Sequence, residues 1–285
     1  MPLRIVAEMS ASHLGSLGRA MMIVKAAAAA GADCIKFQTY QPEQMVSADL
    51  QITSGPWAGR NALELYREAH TPMEWHPHLF KMARDLGLTP FSSVFHPDDV
   101  DFLETLDCPI YKIASFEITD LDLIRYAART GKPLIISTGM ATLDEIDQAV
   151  FAAAGCQDLT LLKCSSAYPA DPADINLAAG AALAGYTFGR IAHGTKWGLS
   201  DHTMGVGVAI AAAALGATMI EKHLTLARAD GGLDAGFSME PEEFRQMVTE
   251  CRRAEQAIGT VRFGPLEAEA PSMELRRSKS GRRGQ

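Results

Sequence analysis

The sequence predicts an α/β fold, a single closed (β/α)8 barrel of the TIM type that occupies residues 1–263. The chain has 285 residues, and one such barrel of about 250 residues uses almost all of them. A short β-branched run, a polar turn and a segment of helical periodicity alternate eight times along it. The strand-like runs lack strict apolar alternation, which is typical of parallel strands that are covered on both faces.

The eight predicted strands are short and mostly apolar, and they begin directly at the N-terminus. They separate the helical segments at intervals that suit βα units. We predict strands at Arg4–Ala7, Asp33–Phe37, Thr89–Ser92, Ile110–Ile113, Leu134–Ser137, Leu159–Leu162, Trp197–Leu199 and Thr218–Ile220.

Helical periodicity fills the intervals between these strands, and several helices have recognisable ends. Thr142 can cap the helix that runs to Gly155, and Gly31, Gly87 and Gly131 each follow a helix, where a left-handed C-cap is favoured. We predict helices at Leu17–Ala30, Glu74–Leu86, Pro97–Leu106, Leu121–Arg129, Leu143–Ala154, Ile175–Ala184, Gly205–Leu215 and Pro241–Ile258.

A doubly wound open sheet is the alternative fold. Such a sheet normally has fewer βα units and a glycine-rich phosphate-binding turn after its first strand. Here the first strand is followed by Glu8-Met-Ser-Ala-Ser-His-Leu-Gly15, which lacks that turn. The closed barrel is therefore favoured.

Two segments fall outside the repeat. Thr39–Trp57 is a long connection after the second strand, and because long connections in compact domains are usually functional or mobile, we expect it to overhang the barrel mouth. Residues 264–285 contain few large apolar side chains, so we predict a linker remnant and a disordered basic tail there. A specific anion-binding arm is the alternative interpretation of this tail.

Composition and charge exclude several classes of protein. No apolar run reaches the roughly 18 residues that span a bilayer, and the N-terminus lacks the features of an export signal, so we expect a cytoplasmic protein. Five scattered cysteines without a CxxC pair predict reduced thiols. Residues 1–275 hold 21 basic and 34 acidic residues, a net charge of −13, which disfavours nucleic acid and anionic membranes as partners.

Polar side chains stand at the predicted ends of the strands, where the chemistry of such barrels is found. Two lysines, Lys36 and Lys112, and serines on five strands would surround a small polyanion, with phosphate plus carboxylate as the natural ligand. The polar residues in question are Glu8, Lys36, Gln38, Ser92, Ser93, Lys112, Ser115, Glu117, Ser137, Thr138, Lys163, Ser165, Ser166, Ser200, Asp201, His202, Glu221, Lys222 and His223.

Two histidines stand out because they follow neighbouring strands. His202 and His223 are one βα unit apart and would project side by side, with the acidic Glu8 and Asp234 as neighbours. Two imidazoles with open positions for water and substrate suit a divalent metal. Each histidine is also compatible with a hydrogen-bonded or packed role, so both interpretations stay open at this point.

Seven ordered motifs closely resemble those of the sialic acid synthase family, over roughly residues 3–278. Enzymes of this family condense phosphoenolpyruvate with an N-acetylated aldose to make a nonulosonic acid. The motifs are Ala7-Glu-Met-Ser-Ala-Ser-His13, Lys36-Phe-Gln-Thr39, Tyr111-Lys-Ile-Ala-Ser-Phe-Glu117, Ser137-Thr-Gly-Met140, Lys163-Cys-Ser-Ser-Ala-Tyr-Pro169, Gly198-Leu-Ser-Asp-His-Thr203 and Glu221-Lys-His-Leu-Thr225.

Within the family, three segments most resemble pseudaminic acid synthases. They are Trp57-Ala-Gly-Arg60, Glu68-Ala-His-Thr-Pro72 and Ala229-Asp-Gly-Gly-Leu-Asp-Ala-Gly-Phe-Ser-Met-Glu-Pro241. The resemblance implies 2,4-diacetamido-2,4,6-trideoxy-altrose as the acceptor rather than N-acetylmannosamine. An N-acetylneuraminate or legionaminate synthase is the alternative.

The resemblance also implies roles for individual residues. Glu8, Glu117 and His223 would be catalytic, the two glutamates as acid/base carboxylates. His202 and His223 would bind a divalent metal, Mn²⁺ with Mg²⁺ or Co²⁺ as alternatives, that polarises the acceptor aldehyde. A homodimer is expected by the same analogy. Gln38, Tyr168 and Asp234 would face the sugar, and phosphoenolpyruvate would be held by Lys36, Ser93, Lys112, Ser115, Ser137, Ser166 and Ser200.

The chain departs from the family pattern at two points, and the second of them supports a rival interpretation. Members often have Asn-His-Asn after the first-strand glutamate, whereas this chain has Ser12-His13-Leu14. Members usually continue into an antifreeze-like domain that lends an arginine to the partner's active site, and we expect this chain to lack it. The rival is a ligand-binding or weakly active barrel that needs a separate antifreeze-like partner. A third interpretation, an aldolase-type or deoxy-sugar-phosphate synthase, would require a different pattern of polar residues.

Overall fold

A closed barrel of eight parallel strands forms the centre of the computed structural model, which describes residues 2–185 and 195–276. The strands pair in chain order, and the last strand closes on the first. This confirms the predicted fold class. The strands are β1 (Arg4–Glu8), β2 (Cys34–Thr39), β3 (Thr89–Val94), β4 (Tyr111–Ile113), β5 (Leu134–Ser137), β6 (Leu159–Cys164), β7 (Lys196–Asp201) and β8 (Met219–His223).

At least one helix follows each strand within residues 1–258. In the part of the chain that the structure describes, no helix is both long enough and apolar enough to cross a bilayer. The helices are α1 (Leu17–Ala29), α2 (Pro42–Met45), α3 (Ala62–Ala69), α4 (His76–Asp85), α5 (Pro97–Glu104), α6 (Leu121–Ala128), α7 (Leu143–Ala152), α8 (Leu177–Gly185), α9 (Gly207–Ala214), α10 (Pro241–Ile258) and α11 (Ala270–Met273).

Apolar residues at helical spacing hold the outer layer on the barrel. In α10 the buried side chains are Phe244, Met247, Val248 and Cys251, which follow the i, i+3, i+4, i+7 pattern of one helix face. The strands beneath are buried as well, and Ile5 of β1 is fully inaccessible. Because both faces of the sheet are covered, the polar residues at the strand ends are the exceptions that require an explanation.

Several strands extend further than their apolar runs predicted. The sequence placed the end of β2 at Phe37, of β7 at Leu199 and of β8 at Ile220, two or three residues short in each case. The missed residues are polar but remain in the parallel ladder, where Glu8 is registered with Lys36 on one side and with His223 on the other. Backbone hydrogen bonds to the neighbouring strands, rather than burial of apolar side chains, therefore keep these residues in the sheet.

The long connection after β2 is more structured than predicted. It contains α2, and it is followed by α3, a helix that the sequence did not predict. Asn61 caps α3, with its Oδ1 accepting from the Glu64 amide at 3.1 Å. The cap and the buried Ala62 and Leu65 are the signals that could have indicated this helix.

The chain divides into two compact units, residues 1–255 and residues 256–285. The barrel strands all belong to the first unit. The described part of the second unit contains a 3₁₀ turn at Glu267–Glu269 and the four-residue α11, and its residues are exposed. The predicted basic tail falls on residues 276–285, of which 277–285 lie outside the described residues.

Candidate active site

A buried ammonium group on β2, that of Lys36, lies between two carboxylates. Lys36 Nζ is 2.8 Å from Glu8 Oε2 and 3.3 Å from Glu221 Oε1, and it donates to Ser93 Oγ at 3.1 Å. Ser200 Oγ donates to Glu221 Oε1 at 3.2 Å. Burial alone would lower the pKa of Lys36, but the Glu221 and Glu8 carboxylates raise it, so this group keeps its charge.

A second buried ammonium group lies two strands further on, at the end of β4. Lys112 Nζ donates to Ser137 Oγ at 2.6 Å and to the Ile113 carbonyl at 3.1 Å. Among the described residues no carboxylate lies within 4 Å of it. Burial lowers the pKa of Lys112 to about 8, against the opposing pull of Glu221. The predicted pair of lysines is therefore present, one with carboxylate partners and one without.

Three residues form a small cradle between the ends of β4, β5 and β6. The Gly139 amide donates to Ser115 Oγ at 3.1 Å, and the buried Ser166 Oγ has no hydrogen-bond partner in the structure. A Cβ on Gly139 would lie 2.7 Å from Ser115 Oγ and would also collide with Ser166 Oγ. Hydroxyl and amide donors around a space that only glycine leaves open suit a phosphate group.

The cradle predicts that Gly139→Ala weakens binding of phosphoenolpyruvate about tenfold or more. The added methyl displaces both serine hydroxyls, and lost hydrogen bonds to a charged group each cost about 1.5–3 kcal/mol. Calorimetric titration with phosphoenolpyruvate measures the effect. Gly18→Ala is the matched control, because a Cβ there meets nothing closer than 3.8 Å and alanine favours the helix. Unchanged affinity in folded Gly139→Ala would show that the cradle does not contact phosphoenolpyruvate.

The two predicted histidines lie side by side at the ends of β7 and β8. Their ring centroids are 5.4 Å apart, and Tyr168 lies against His202 with the ring centroids 4.4 Å apart. His202 Nδ1 is 3.0 Å from the Ser165 carbonyl, which fixes its proton on that nitrogen and leaves Nε2 as the lone-pair donor. His223 Nδ1 is buried without a hydrogen-bond partner and lies 3.8 Å from Asp234 Oδ2.

This arrangement fits a divalent metal with open coordination positions. An unpartnered buried ring nitrogen and a neighbouring imidazole held by a backbone carbonyl are the donors that such an ion takes. Within residues 2–185 and 195–276, no group of three or more His, Cys, Asp or Glu side chains is arranged to hold a metal. The chain would therefore supply two ligands and leave the remaining positions to water and substrate.

The two predicted acid/base carboxylates occupy different surroundings. Burial and the nearby Glu221 charge raise the pKa of Glu8 to about 7, with Lys36 opposing the shift. Burial likewise raises the pKa of Glu117 to about 7, and Glu117 Oε2 is buried without a hydrogen-bond partner. A carboxyl group with a pKa near 7 can give or take a proton at neutral pH.

A cavity of about 340 Å³ opens above these groups. His223, Glu117 and the three residues predicted to face a sugar, Gln38, Tyr168 and Asp234, all line it. Gln38 Nε2 donates to Glu8 Oε1 at 3.3 Å and to Ser10 Oγ at 3.0 Å, and Asp234 Oδ2 accepts from the Ala11 amide at 3.2 Å. A volume of this size accommodates a small sugar derivative.

Sequence reasoning placed Glu221 among the strand-end polar residues but gave it no role, and it assigned no individual cavity-lining residues to the connection after β2. Glu221 is two residues from His223 in the same strand, so alternation along β8 was the available signal. Lys222, between them, points away and pairs with Asp201. Val46, Leu50 and Ile52 line the cavity, as expected if the connection overhangs the mouth. The predicted serines Ser93, Ser137 and Ser200 are bonded to Lys36, Lys112 and Glu221.

This chain is similar to known proteins over most of its length. The NeuB family matches residues 23–263. Pseudaminic acid synthase of Helicobacter pylori is 46% identical over 264 residues, which cover 90% of this chain and 76% of the relative. Pseudaminic acid synthase of Campylobacter jejuni is 40% identical over 278 residues, 95% of this chain and 78% of the relative. The crystal structure of N-acetylneuraminic acid (sialic acid) synthetase from Leptospira borgpetersenii in complex with citrate has a TM-score of 0.83 at 30% identity, covering 98% and 93% of the two chains.

The fold and the site define an α/β-barrel enzyme in which buried charged groups at the strand ends lie beside a cavity with polar and apolar lining residues. The chain belongs to the NeuB family, the nonulosonic acid synthases, and pseudaminic acid synthases are 40–46% identical to it over most of its length. This confirms the family that the seven motifs predicted and the prediction of an enzyme.

Proposed function

We propose that this chain condenses phosphoenolpyruvate with 2,4-diacetamido-2,4,6-trideoxy-altrose to give a nonulosonic acid of the pseudaminic type and phosphate. By its family the chain is a phosphoenolpyruvate-dependent nonulosonic acid synthase, a transferase that forms a C–C bond. The acceptor is proposed from the 40–46% identity to pseudaminic acid synthases. The observation that carries the proposal is the convergence of Lys36, Lys112 and the cradle with His202 and His223 at one mouth of the barrel.

Phosphoenolpyruvate is the ligand that this floor suits best. Its phosphate would occupy the cradle of Ser115, Gly139 and Ser166, next to the unpaired ammonium of Lys112. Its carboxylate would lie toward Lys36. Two fixed positive charges and several donors in a buried site stabilise a small trianion more strongly than the same groups would in water.

The proposed condensation requires proton transfer at two positions, the aldehyde oxygen of the sugar and the water that adds to C2. C3 of phosphoenolpyruvate attacks the aldehyde carbon of the open-chain sugar, and the aldehyde oxygen takes up a proton and becomes a hydroxyl. Water adds to C2 and releases a proton, after which the C2–O bond to phosphate breaks and the ketone forms. Glu117 and Glu8, with pKa values near 7, are the groups that would donate and accept these protons.

A metal on His202 and His223 would supply Lewis acidity toward the acceptor aldehyde. The chain itself would orient the hydroxyl and N–H groups of the sugar through the cavity wall, where Gln38 Oε1 and the Asp234 carboxylate offer acceptors. Manganese as the ion, a homodimer and a cytoplasmic location stay predictions from the sequence.

Phosphate release from the purified chain tests the proposed function. With phosphoenolpyruvate, Mn²⁺ and the altrose derivative, we expect phosphate and a nonulosonic acid in equal amounts. The same assay with N-acetylmannosamine and with the acceptor of legionaminate synthases should give lower kcat/KM. A higher kcat/KM with either would replace the proposed acceptor, and no release with any sugar would contradict the function.

Removing the metal should abolish turnover without unfolding the barrel. Exhaustive chelation takes away the Lewis acid but leaves the core intact, since the two histidines are the only proposed ligands from the chain. Mn²⁺ should restore activity, with Mg²⁺ and Co²⁺ as comparisons. Metal content is measured by elemental analysis alongside the rate. Full activity in protein shown to be free of metal would refute the metal's role.

A further inference from the structure

The cavity changes character from its floor to its outer edge. At the floor, His223 and Asp234 are buried, with only 8% and 7% of their surfaces exposed. At the outer edge lie three aliphatic side chains of the connection after β2, namely Val46, Leu50 and Ile52, and Leu50 is 46% exposed. A molecule that fills the cavity therefore meets polar groups at one end and an aliphatic wall at the other.

Backbone hydrogen bonds hold this aliphatic wall in place. The Ile52 amide donates to the Arg60 carbonyl at 3.0 Å, and the Ala62 amide donates to the Leu50 carbonyl at 2.9 Å. Trp57 Nε1 donates to the Leu233 carbonyl at 3.2 Å, which ties the connection to the segment after β8. The wall is thus a formed surface that is held by the connection itself and anchored to the segment after β8.

Two polar groups of the cavity lining already have hydrogen-bond partners. The Trp57 indole N–H is occupied by the Leu233 carbonyl, and the Tyr40 hydroxyl donates to the Tyr66 carbonyl at 3.2 Å. A ligand hydroxyl pressed against Val46, Leu50 and Ile52 would give up part of its hydration, and these three side chains offer it no hydrogen bond. A ligand methyl in the same place would be buried favourably.

We propose that Val46, Leu50 and Ile52 form a specificity wall that receives C6 of the acceptor and selects a methyl group over a hydroxymethyl group. The inference rests on the proposed function, because it assumes an open-chain hexose whose aldehyde carbon faces His223 and Glu117. C6 is the end of that chain opposite to the aldehyde, so it faces the wall. The wall would then explain how the site selects 6-deoxy acceptors, since the groups at the floor contact only the aldehyde end of the sugar.

A pair of acceptors that differ only at C6 tests the wall. The pair is 2,4-diacetamido-2,4,6-trideoxy-altrose and its counterpart with a 6-hydroxyl. We expect the wild-type kcat/KM to favour the 6-deoxy sugar about tenfold or more, in the range that one small group in an apolar pocket can provide. Val46→Thr, which places a hydroxyl in the wall at nearly constant volume, should lower this preference severalfold, mainly by raising KM for the 6-deoxy sugar. Ile52→Thr, which replaces an ethyl group by a hydroxyl, should lower it in the same direction.

Two controls separate polarity from general damage. Val46→Ile keeps the wall aliphatic and should keep the preference, and Val261→Thr makes the same chemical change at a side chain that is 93% exposed. Equal kcat/KM for both sugars in the wild type would contradict the proposed specificity wall. An unchanged preference in folded Val46→Thr and Ile52→Thr would contradict it as well. If neither sugar is turned over, the proposed function fails. The wall is then tested by calorimetry, which measures the ratio of the affinities for the two sugars in the wild type and in Val46→Thr.

Discussion

Lys112→Met is expected to lower kcat/KM for phosphoenolpyruvate by about 10²–10³-fold, the loss typical of removing one preorganised donor from a buried site. Lys112 is buried, donates only to a serine hydroxyl and a backbone carbonyl, and has a pKa lowered to about 8. Its charge is therefore unfavourable in the empty protein and becomes favourable when the phosphate arrives. The free energy of unfolding of Lys112→Met should accordingly equal or exceed that of the wild type.

Lys163→Met is the matched control for this prediction. Lys163 also lies near the end of its strand, but it is only half-buried and lines a separate pocket with Ala179 and Leu183, on the helix-covered side of the sheet. We expect its kcat/KM to stay within a few fold of the wild type. Phosphate release with phosphoenolpyruvate as the varied substrate, together with thermal unfolding, measures both effects. Near-normal kcat/KM in Lys112→Met, or an equal loss in Lys163→Met, would contradict the assignment.

Lys36→Met should behave differently, because its ammonium separates two carboxylates. Without it, Glu8 and Glu221 would face each other across a buried site, so stability should fall together with activity. The contrast between the two lysines follows from their partners and not from their burial, which is nearly the same.

The second large effect is on stability, from Lys222→Met. Lys222 Nζ donates to Asp201 Oδ2 at 2.6 Å and to the Thr203 carbonyl, and both charged side chains are wholly inaccessible. Removal of the ammonium leaves a buried carboxylate with only the Thr203 donors, which should cost about 3–5 kcal/mol of unfolding free energy. The pair joins β7 to β8 directly beside His202 and His223, so activity should fall as well.

An exposed lysine provides the control for this effect. Lys81 bonds Asp85 at 2.6 Å on the surface of α4, and Lys81→Met should change stability by less than about 1 kcal/mol. The double variant Asp201→Asn with Lys222→Met should lose less than Lys222→Met alone, since no unpaired charge remains. Urea unfolding of the four proteins gives the comparison. A Lys222→Met variant as stable as the wild type would show that the buried pair is not needed to hold these strands.

The barrel could be predicted from the sequence because each βα unit carries its own local signal. Apolar runs marked the strands and helical periodicity marked the helices, and the predicted bounds of α10 and β5 are those observed. The strand ends could not be placed the same way, since residues such as Asp201 and His223 stay in the ladder although they are polar.

The candidate site was predicted less completely than the fold. Lysines and histidines at strand ends are visible as single residues, but the role of Glu221 depends on a contact with Lys36, which is distant in the chain. The specificity wall depends on how the connection after β2 folds back over the mouth. Partner choice and loop placement of this kind are set by tertiary packing, which local patterns do not encode.

A crystal structure of the chain with phosphoenolpyruvate and Mn²⁺ tests the central claim most directly, because it locates both ligands relative to the strand ends. We expect the phosphate in the cradle of Ser115, Gly139 and Ser166 next to Lys112, and an anomalous manganese peak between His202 and His223. Phosphoenolpyruvate bound away from both lysines, or manganese bound away from both histidines, would contradict the account.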